Sequence, residues 1–265
     1  MYINGKKLYV RRYSSGELKL VRSEIDKYIE CGKVKILYVG GYTLFELILI
    51  IKYYKSIGVV VDLILGYLPY QRMDHKDRDE LDTVSYVADI FNKLDLNSIF
   101  ICEPHCEIEM FNRGKKISIV NLLKEKAFKD IGFDEEDIVV LADKGGLRRY
   151  QGISKNVVYF NKVRDIDTGL IIKHEIVGDV DVSKKVMIVD DIISTGDTIV
   201  NIINHLICCG VKDIYVLAGH IENNKYNKRI YEFSNVIKVY STSVLRKKGN
   251  SKLKLYDLKK LLENI

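Results

Sequence analysis

Short apolar runs alternate along the chain with longer stretches in which apolar residues recur every three or four positions. Val34 to Val39, Val59 to Leu65 and Ile99 to Cys102 are largely apolar, interrupted only by Lys35 and Asp62. Ile138 to Leu141, Val157 to Phe160, Val186 to Val189, Ile214 to Leu217 and Val236 to Tyr240 repeat the pattern later. Runs of this length without polar alternation predict strands buried on both faces. Thr43 and Glu46 form a capping-box pattern, which predicts a helix to about Ser56. Asp82 predicts the cap of a helix to about Leu94. Further helices are expected near Leu122 to Lys129, from Thr198 to Cys209 with Gly210 as the stop, and from about Asp257 to Glu263. This alternation predicts an α/β protein with two parallel-sheet domains and helices on both faces. The division is placed at domains 1–120 and 121–265, with no composition shift to mark it.

With 265 residues, 47% of them hydrophobic, the chain is long and apolar enough for sizeable cores and unlike a disordered segment. The net charge of +6 comes from 42 cations among 36 anions. The densest basic run, Arg246 to Lys248, reads as a solvated loop, so no nucleic-acid partner is expected. A mild basic excess does suit attraction of polyphosphate anions. Five cysteines, two of them adjacent at Cys208 and Cys209, argue against a disulfide framework and for a reducing cytoplasm. Cys102, His105 and Cys106 are too few for a closed zinc site. The start MYINGKK lacks a signal-peptide core, and the most apolar run, Leu44 to Ile51, is too short to cross a bilayer. A soluble, cytoplasmic protein with no membrane contact is expected.

In open α/β sheets, ligands sit beyond the carboxyl ends of the strands. After the strand Val186 to Val189 come Asp190-Asp191, then Ser194-Thr195-Gly196-Asp197-Thr198, then a helix. Gly196 lets backbone approach a phosphate closely, and the helix N-terminus offers unpaired N–H groups and a favourable dipole. Ser194, Thr195 and Thr198 add hydroxyl donors. Two carboxylates at a strand end can accept from a sugar diol or hold Mg²⁺ through water. An ordinary strand end with turn and cap residues explains each residue singly. It does not explain two adjacent carboxylates, which repel without a cation or diol. The run resembles the ribose-phosphate-binding signature of type I phosphoribosyltransferases and of ribose-phosphate diphosphokinases.

Further segments resemble the diphosphokinases, in order along nearly the whole chain. Arg12-Tyr13-Ser14-Ser15-Gly16-Glu17 is similar to Arg-Phe-Ser-Asp-Gly-Glu of the family. The resemblance implies that Tyr13, Ser15 and Glu17 reach a neighbouring subunit's ATP site, with Tyr13 stacked on adenine; the plain alternative is a β-turn. Tyr67 to Asp77 resembles the family's Tyr-Ala-Arg-Gln-Asp-Arg-Lys stretch, with Arg72, Asp74 and Lys76 matching, Met73 replacing Gln and His75 replacing Arg. This implies ATP binding by Arg72, Met73 and Asp74, and a guanidinium suits phosphate oxygens. Cys102-Glu103-Pro104-His105 resembles Asp-Leu-His, implying His105 beside the metal–triphosphate. Val139 to Arg149 resembles Pro-Asp-Ala-Gly-Gly-Val-Arg-Arg. There Gly145-Gly146 would form a backbone nest for diphosphate, with Arg148 adding charge and Asp143 near metal and ribose. Lys162 and Arg164 match two positions of the family's Lys-Arg-Arg, Val163 departing from it. Positions i and i+2 share a strand face, so both cations can serve as transition-state stabilisers; an exposed hairpin with incidental charge is the alternative.

The resemblance implies a two-domain phosphoribosyltransferase fold. It also implies Mg²⁺-dependent transfer of the diphosphoryl group of ATP to the anomeric hydroxyl of ribose 5-phosphate, with AMP leaving. Metal ligation by His105 and Asp143, and a homodimer or larger homo-oligomer, follow from the same resemblance. The chain departs from the family in its short length, in an absent N-terminal strand–helix, in the stretch after His105, and at Asp197, where Gly is common. An anion in a phosphate loop leaves open a larger acceptor, such as ADP-ribose in NAD salvage. A transferase consuming phosphoribosyl diphosphate and a non-catalytic regulator are further alternatives. The first should lack the ATP segments, and the second should have lost Lys162 and Arg164.

Overall fold

The computed structural model describes residues 1–74, 80–164 and 171–263, with the side chains of 162–164 and 171–174 outside the description. The chain divides into a unit built on Met1–Ile117 and a unit of Ser118–Leu261.

The first unit opens with small pieces: β1 (Tyr2–Ile3), β2 (Lys6–Lys7), β3 (Arg11–Arg12), β4 (Leu18–Lys19) and α1 (Arg22–Ile25). None was expected, because two-residue strands carry no readable period. Then follow β5 (Lys33–Tyr38), α2 (Leu44–Ser56), β6 (Val60–Leu65), α3 (Thr83–Asn92), β7 (Ser98–Cys102) and β8 (Gly114–Ile117). The sheet order is β2-β1-β5-β6-β7-β8. It is parallel from β5 to β8, with β1 antiparallel on β5. The capping box forms as the sequence indicates. Thr43 Oγ1 accepts from the Glu46 N–H at 3.1 Å, and the Glu46 carboxylate accepts from the Thr43 N–H at 2.8 Å. Asp82 accepts from the Ser85 N–H at 3.3 Å. Right-handed crossovers between successive neighbours place α2 and α3 on one sheet face. There Leu47, Ile50, Ile51 and Tyr54 share a core with Val84, Val87 and Phe91 over Ile36, Leu63 and Ile101.

The second unit contains α4 (Ile119–Ile131), β9 (Ile138–Leu141), α5 (Gly146–Arg149), β10 (Val157–Arg164), β11 (Ile171–Val177) and β12 (Val186–Ile193). Then come α6 (Asp197–Cys208), β13 (Ile214–Ile221), a 3-10 turn at Tyr226–Tyr231, β14 (Val236–Thr242), β15 (Leu253–Tyr256) and α7 (Leu258–Leu261). The seven strands are ordered β11-β10-β9-β12-β13-β14-β15. All pairs are parallel except β10–β11, an edge hairpin. Val186 and Ile188 join a core with Ile199, Ile202, Ile203 and Leu206 of α6. Met187 and Val189 alternate with them and are also buried, and α4 packs on β12, β13 and β14. Both faces are therefore covered, which is why β12 reads as an unbroken apolar run.

Candidate functional site

In the second unit, chain order and sheet order disagree at one place. From β9 the chain moves one way to β10, then returns to add β12 on the other side of β9. This reversal opens a crevice beyond the carboxyl ends of β9 and β12, the place where open α/β sheets bind ligands. Asp143 follows β9, and Asp190 is the first residue past the last β12–β9 pair, Val189↔Leu141. The strand itself does not stop at Val189 as the sequence predicts. It runs to Ile193 because β13 offers a longer partner, pairing Ile192↔His220 and Ile193↔Ile221. The acidic pair thus lies on a stretch of β12 that runs beside β13 past the end of β9, with Asp191 buried.

Electrostatics show how close these carboxylates lie. Burial pushes the Asp190 carboxyl well above the usual carboxylate range, and the charges of Asp191 and Asp143 push it further. Its Oδ1 accepts from the Asp191 N–H at 2.9 Å. Asp191 is buried and ion-paired with Arg149 at 3.5 Å. Burial works against the Arg149 charge, but Asp191, Asp143 and Asp190 outweigh it, so its pKa is raised. Arg149, not among the expected site residues, therefore serves the acidic pair. Arg148, the expected one, is exposed on α5. Only the phase of this four-residue helix separates the two.

The glycines after Asp143 act differently from the expected nest. Neither has positive φ, and Gly145 is in the right-handed helical region as the N-cap of α5. Gly146 is needed for space: a Cβ there would lie 3.0 Å from Leu141 Cβ. Asp143 Oδ1 accepts from the Gly146 N–H at 2.9 Å, fixing the turn.

The loop from Ser194 to Thr198 leads into α6, whose first N–H groups lack intrahelical acceptors by geometry. Gly196 has φ +85°, and a Cβ would lie 3.0 Å from Ile230 Cδ1 and 3.3 Å from Asn227. Ser194 donates to the Glu222 carboxylate at 2.7 Å, and Thr195 to that of Asp197 at 2.6 Å. Asp197 also pairs with Arg229 at 2.5 Å, and both contacts hold its carboxyl below the usual range. The anion that the sequence leaves unexplained thus has a counter-ion. Thr198 is half-buried on the first turn of α6.

Lys162 and Arg164 lie on β10 beyond Tyr159, its last residue paired with β9, and so on the same carboxyl edge. The β10–β11 register shifts between Val163 and Arg164, skipping Ile172 on β11. Their side chains lie outside the described residues.

In the first unit, the segment at 12–17 is the β3–β4 hairpin. Tyr13 and Glu17 are joined by a backbone bond of 2.9 Å, and Gly16 turns with φ +90°. Tyr13 is 53% exposed at this tip, with Lys19 5.5 Å from its ring centre. Ser15 donates to Glu17 at 2.9 Å. Arg12 anchors the hairpin by pairing with Glu46 at 2.5 Å, the carboxylate that also caps α2. Arg72 and Met73 are exposed and Asp74 is half-buried, while His75, Lys76 and Asp77 lie outside the described residues. Gln71 is fully buried and accepts from the His105 N–H at 3.0 Å, tying this loop to the end of β7. His105 is half-buried. Beside it, burial raises the thiols of Cys102 and Cys106, the latter to about 12, so both remain neutral. Cys31, Cys208 and Cys209 are exposed. Among the described residues no three His, Cys, Asp or Glu side chains converge as a metal cage. No described helix is long and apolar enough to cross a membrane.

A switch-point crevice, an acidic pair and a Gly-containing loop opening a helix define a phosphoribosyltransferase-type α/β fold. Phosphoribosylpyrophosphate synthetase from Mycobacterium smegmatis superposes with a TM-score of 0.75 over 97% of this chain and 87% of that one, at 23% identity. A ribose-phosphate pyrophosphokinase of Saccharolobus solfataricus is 29% identical over 67% of this chain, which spans 63% of that protein's length. One of Methanobrevibacter smithii is 28% identical over 83% of this chain and 80% of its own. No family profile matches the chain. By sequence the chain is similar to ribose-phosphate pyrophosphokinases, and by fold to phosphoribosylpyrophosphate synthetase.

Proposed function

We propose that the chain transfers the diphosphoryl group of ATP to the anomeric hydroxyl of ribose 5-phosphate, giving phosphoribosyl diphosphate and AMP. The observation that carries this is the crevice where Asp190 and Asp191 meet the loop Ser194–Thr198 at the switch point, in a chain whose relatives bear that enzymatic name. Asp190 and Asp191 accept from the ribose hydroxyls. The loop and the α6 N-terminus hold the 5-phosphate. The α5 turn, with Gly145, Gly146 and Arg148, receives the diphosphate. Lys162 and Arg164 neutralise charge that builds on the phosphoryl oxygens.

ATP is assigned to the first unit's segments: Tyr13, Ser15 and Glu17 on the hairpin, Arg72, Met73 and Asp74, and His105. The exposed hairpin tip supports a contribution to a neighbouring copy, and hence a homodimer or larger assembly. Mg²⁺ fits the donor set. The carboxylate oxygens of Asp143 and Asp190 are of the kind a hard cation prefers. When bound, it neutralises phosphate charge, with His105 assigned to the triphosphate side.

Incubation with Mg·ATP and ribose 5-phosphate should release AMP, and ADP-ribose in its place should not. Absence of AMP with ribose 5-phosphate would overturn the assignment. Lys162→Ala should lower kcat by about 10²-fold or more, the usual loss for an electrostatic stabiliser.

A further inference from the structure

We infer that Arg229 is the counter-ion that makes an acidic phosphate loop able to accept a phosphomonoester. Resting on the proposed function, this adds a specificity residue from outside the loop's own sequence. Asp197 occupies the first position of α6, where its charge competes with a phosphate for the same positive helix pole. Uncompensated, it would repel a dianion from the site next to it. Arg229 reaches it across 32 residues of sequence, at 2.5 Å. The remaining Asp197 oxygen takes the Thr195 hydroxyl at 2.6 Å, so the acid, the loop and the cation form one unit.

The platform that carries Arg229 is fixed to the loop. Arg229 belongs to the turn Tyr226–Tyr231, and its Nε donates to the Tyr226 carbonyl at 3.1 Å. Two residues earlier, fully buried Asn227 donates to the Ser194 carbonyl at 3.0 Å and to the Glu222 carbonyl at 2.9 Å. Buried Arg246 donates to the Asn227 side chain at 3.1 Å from behind. Ile230 of the same turn closes on Gly196. The loop and the turn are therefore one piece, and Arg229 is held where the loop needs positive charge. Folding stability does not account for the pair. Its side chains are 46% and 62% exposed, and surface ion pairs of this kind contribute little.

Ribose 5-phosphate binding, measured by isothermal titration calorimetry at low salt, tests the inference. Arg229→Ala should weaken binding by about tenfold or more, as loss of a charge-assisted contact does. The double variant Asp197→Asn/Arg229→Ala should bind within about threefold of wild type, because the repulsion leaves with the acid. The weakening should also shrink as salt rises. Melting temperatures measured in parallel should be the same for all variants. Wild-type affinity in Arg229→Ala would overturn the inference, as would a double variant no better than the single one. A wild-type chain that binds ribose 5-phosphate yet releases no AMP with Mg·ATP would sink the proposed function, while the order of affinities would still decide the role of Arg229. Failure of the wild type to bind ribose 5-phosphate would overturn both.

Discussion

At the scale of single residues, Asp190 is strongly altered by its surroundings. Its folded pKa lies above the unfolded value through burial and neighbouring carboxylates. A raised acid favours folding only while it keeps its proton. That contribution is complete below the ordinary carboxylate range and is lost as pH rises through the raised value. Calorimetry without divalent cations should show Asp190→Asn gaining up to about several degrees of melting temperature over wild type from pH 4 to 8. A difference that stays flat over this range would refute the pKa assignment. The same substitution should reduce turnover by about 10²-fold if Asp190 holds the ribose. The acidic pair and the loop are legible in the sequence because they form one contiguous string. Arg149 is not, because choosing between it and Arg148 requires the phase of a short helix. Glu222 and Arg229 are not either, because they meet the loop from 28 and 32 residues away.

Among the elements, the continuous strands and the capped helices follow directly from the amino acids. Thr43, Glu46 and Asp82 make the bonds that their spacing promises. The missed strands are short or interrupted by polar residues. β1 to β4 are two residues long, β8 and β15 are four, and β11 is interrupted at Lys173 to Glu175. They are strands because a neighbouring edge is free to pair with them, and a single sequence window does not record that. The β12 extension has the same origin in β13. Gly196 joins an element to its function, since it has positive φ and packs against Ile230 and Asn227. Gly196→Ala should therefore cost about 1–3 kcal/mol of stability in denaturant titration. It should also weaken ribose 5-phosphate binding beyond Arg229→Ala. A variant as stable as wild type would contradict the geometry.

For the whole molecule, strand–helix alternation is enough to indicate an α/β protein with parallel sheets. The antiparallel edges, β1 on β5 and β11 on β10, are not apparent, because edge pairing depends on which neighbours remain free. The proposed assembly predicts complementation. Tyr13→Ala and Lys162→Ala should each be nearly inactive alone. Mixed after reversible dissociation, they should regain about a quarter of wild-type turnover in a two-fold dimer, since half the dimers are mixed and each mixed dimer has one intact site. No recovery would confine the hairpin to its own copy. The fold also sorts the five cysteines into two chemical classes. Cys102 and Cys106 are buried and neutral, and Cys31, Cys208 and Cys209 face solvent. A maleimide dye applied to the native protein should label only the exposed three. Replacing Cys31 and Cys208 by Ser leaves Cys209, at the far end of α6 from the Ser194–Thr198 loop, as a single attachment point for fluorescence or surface tethering.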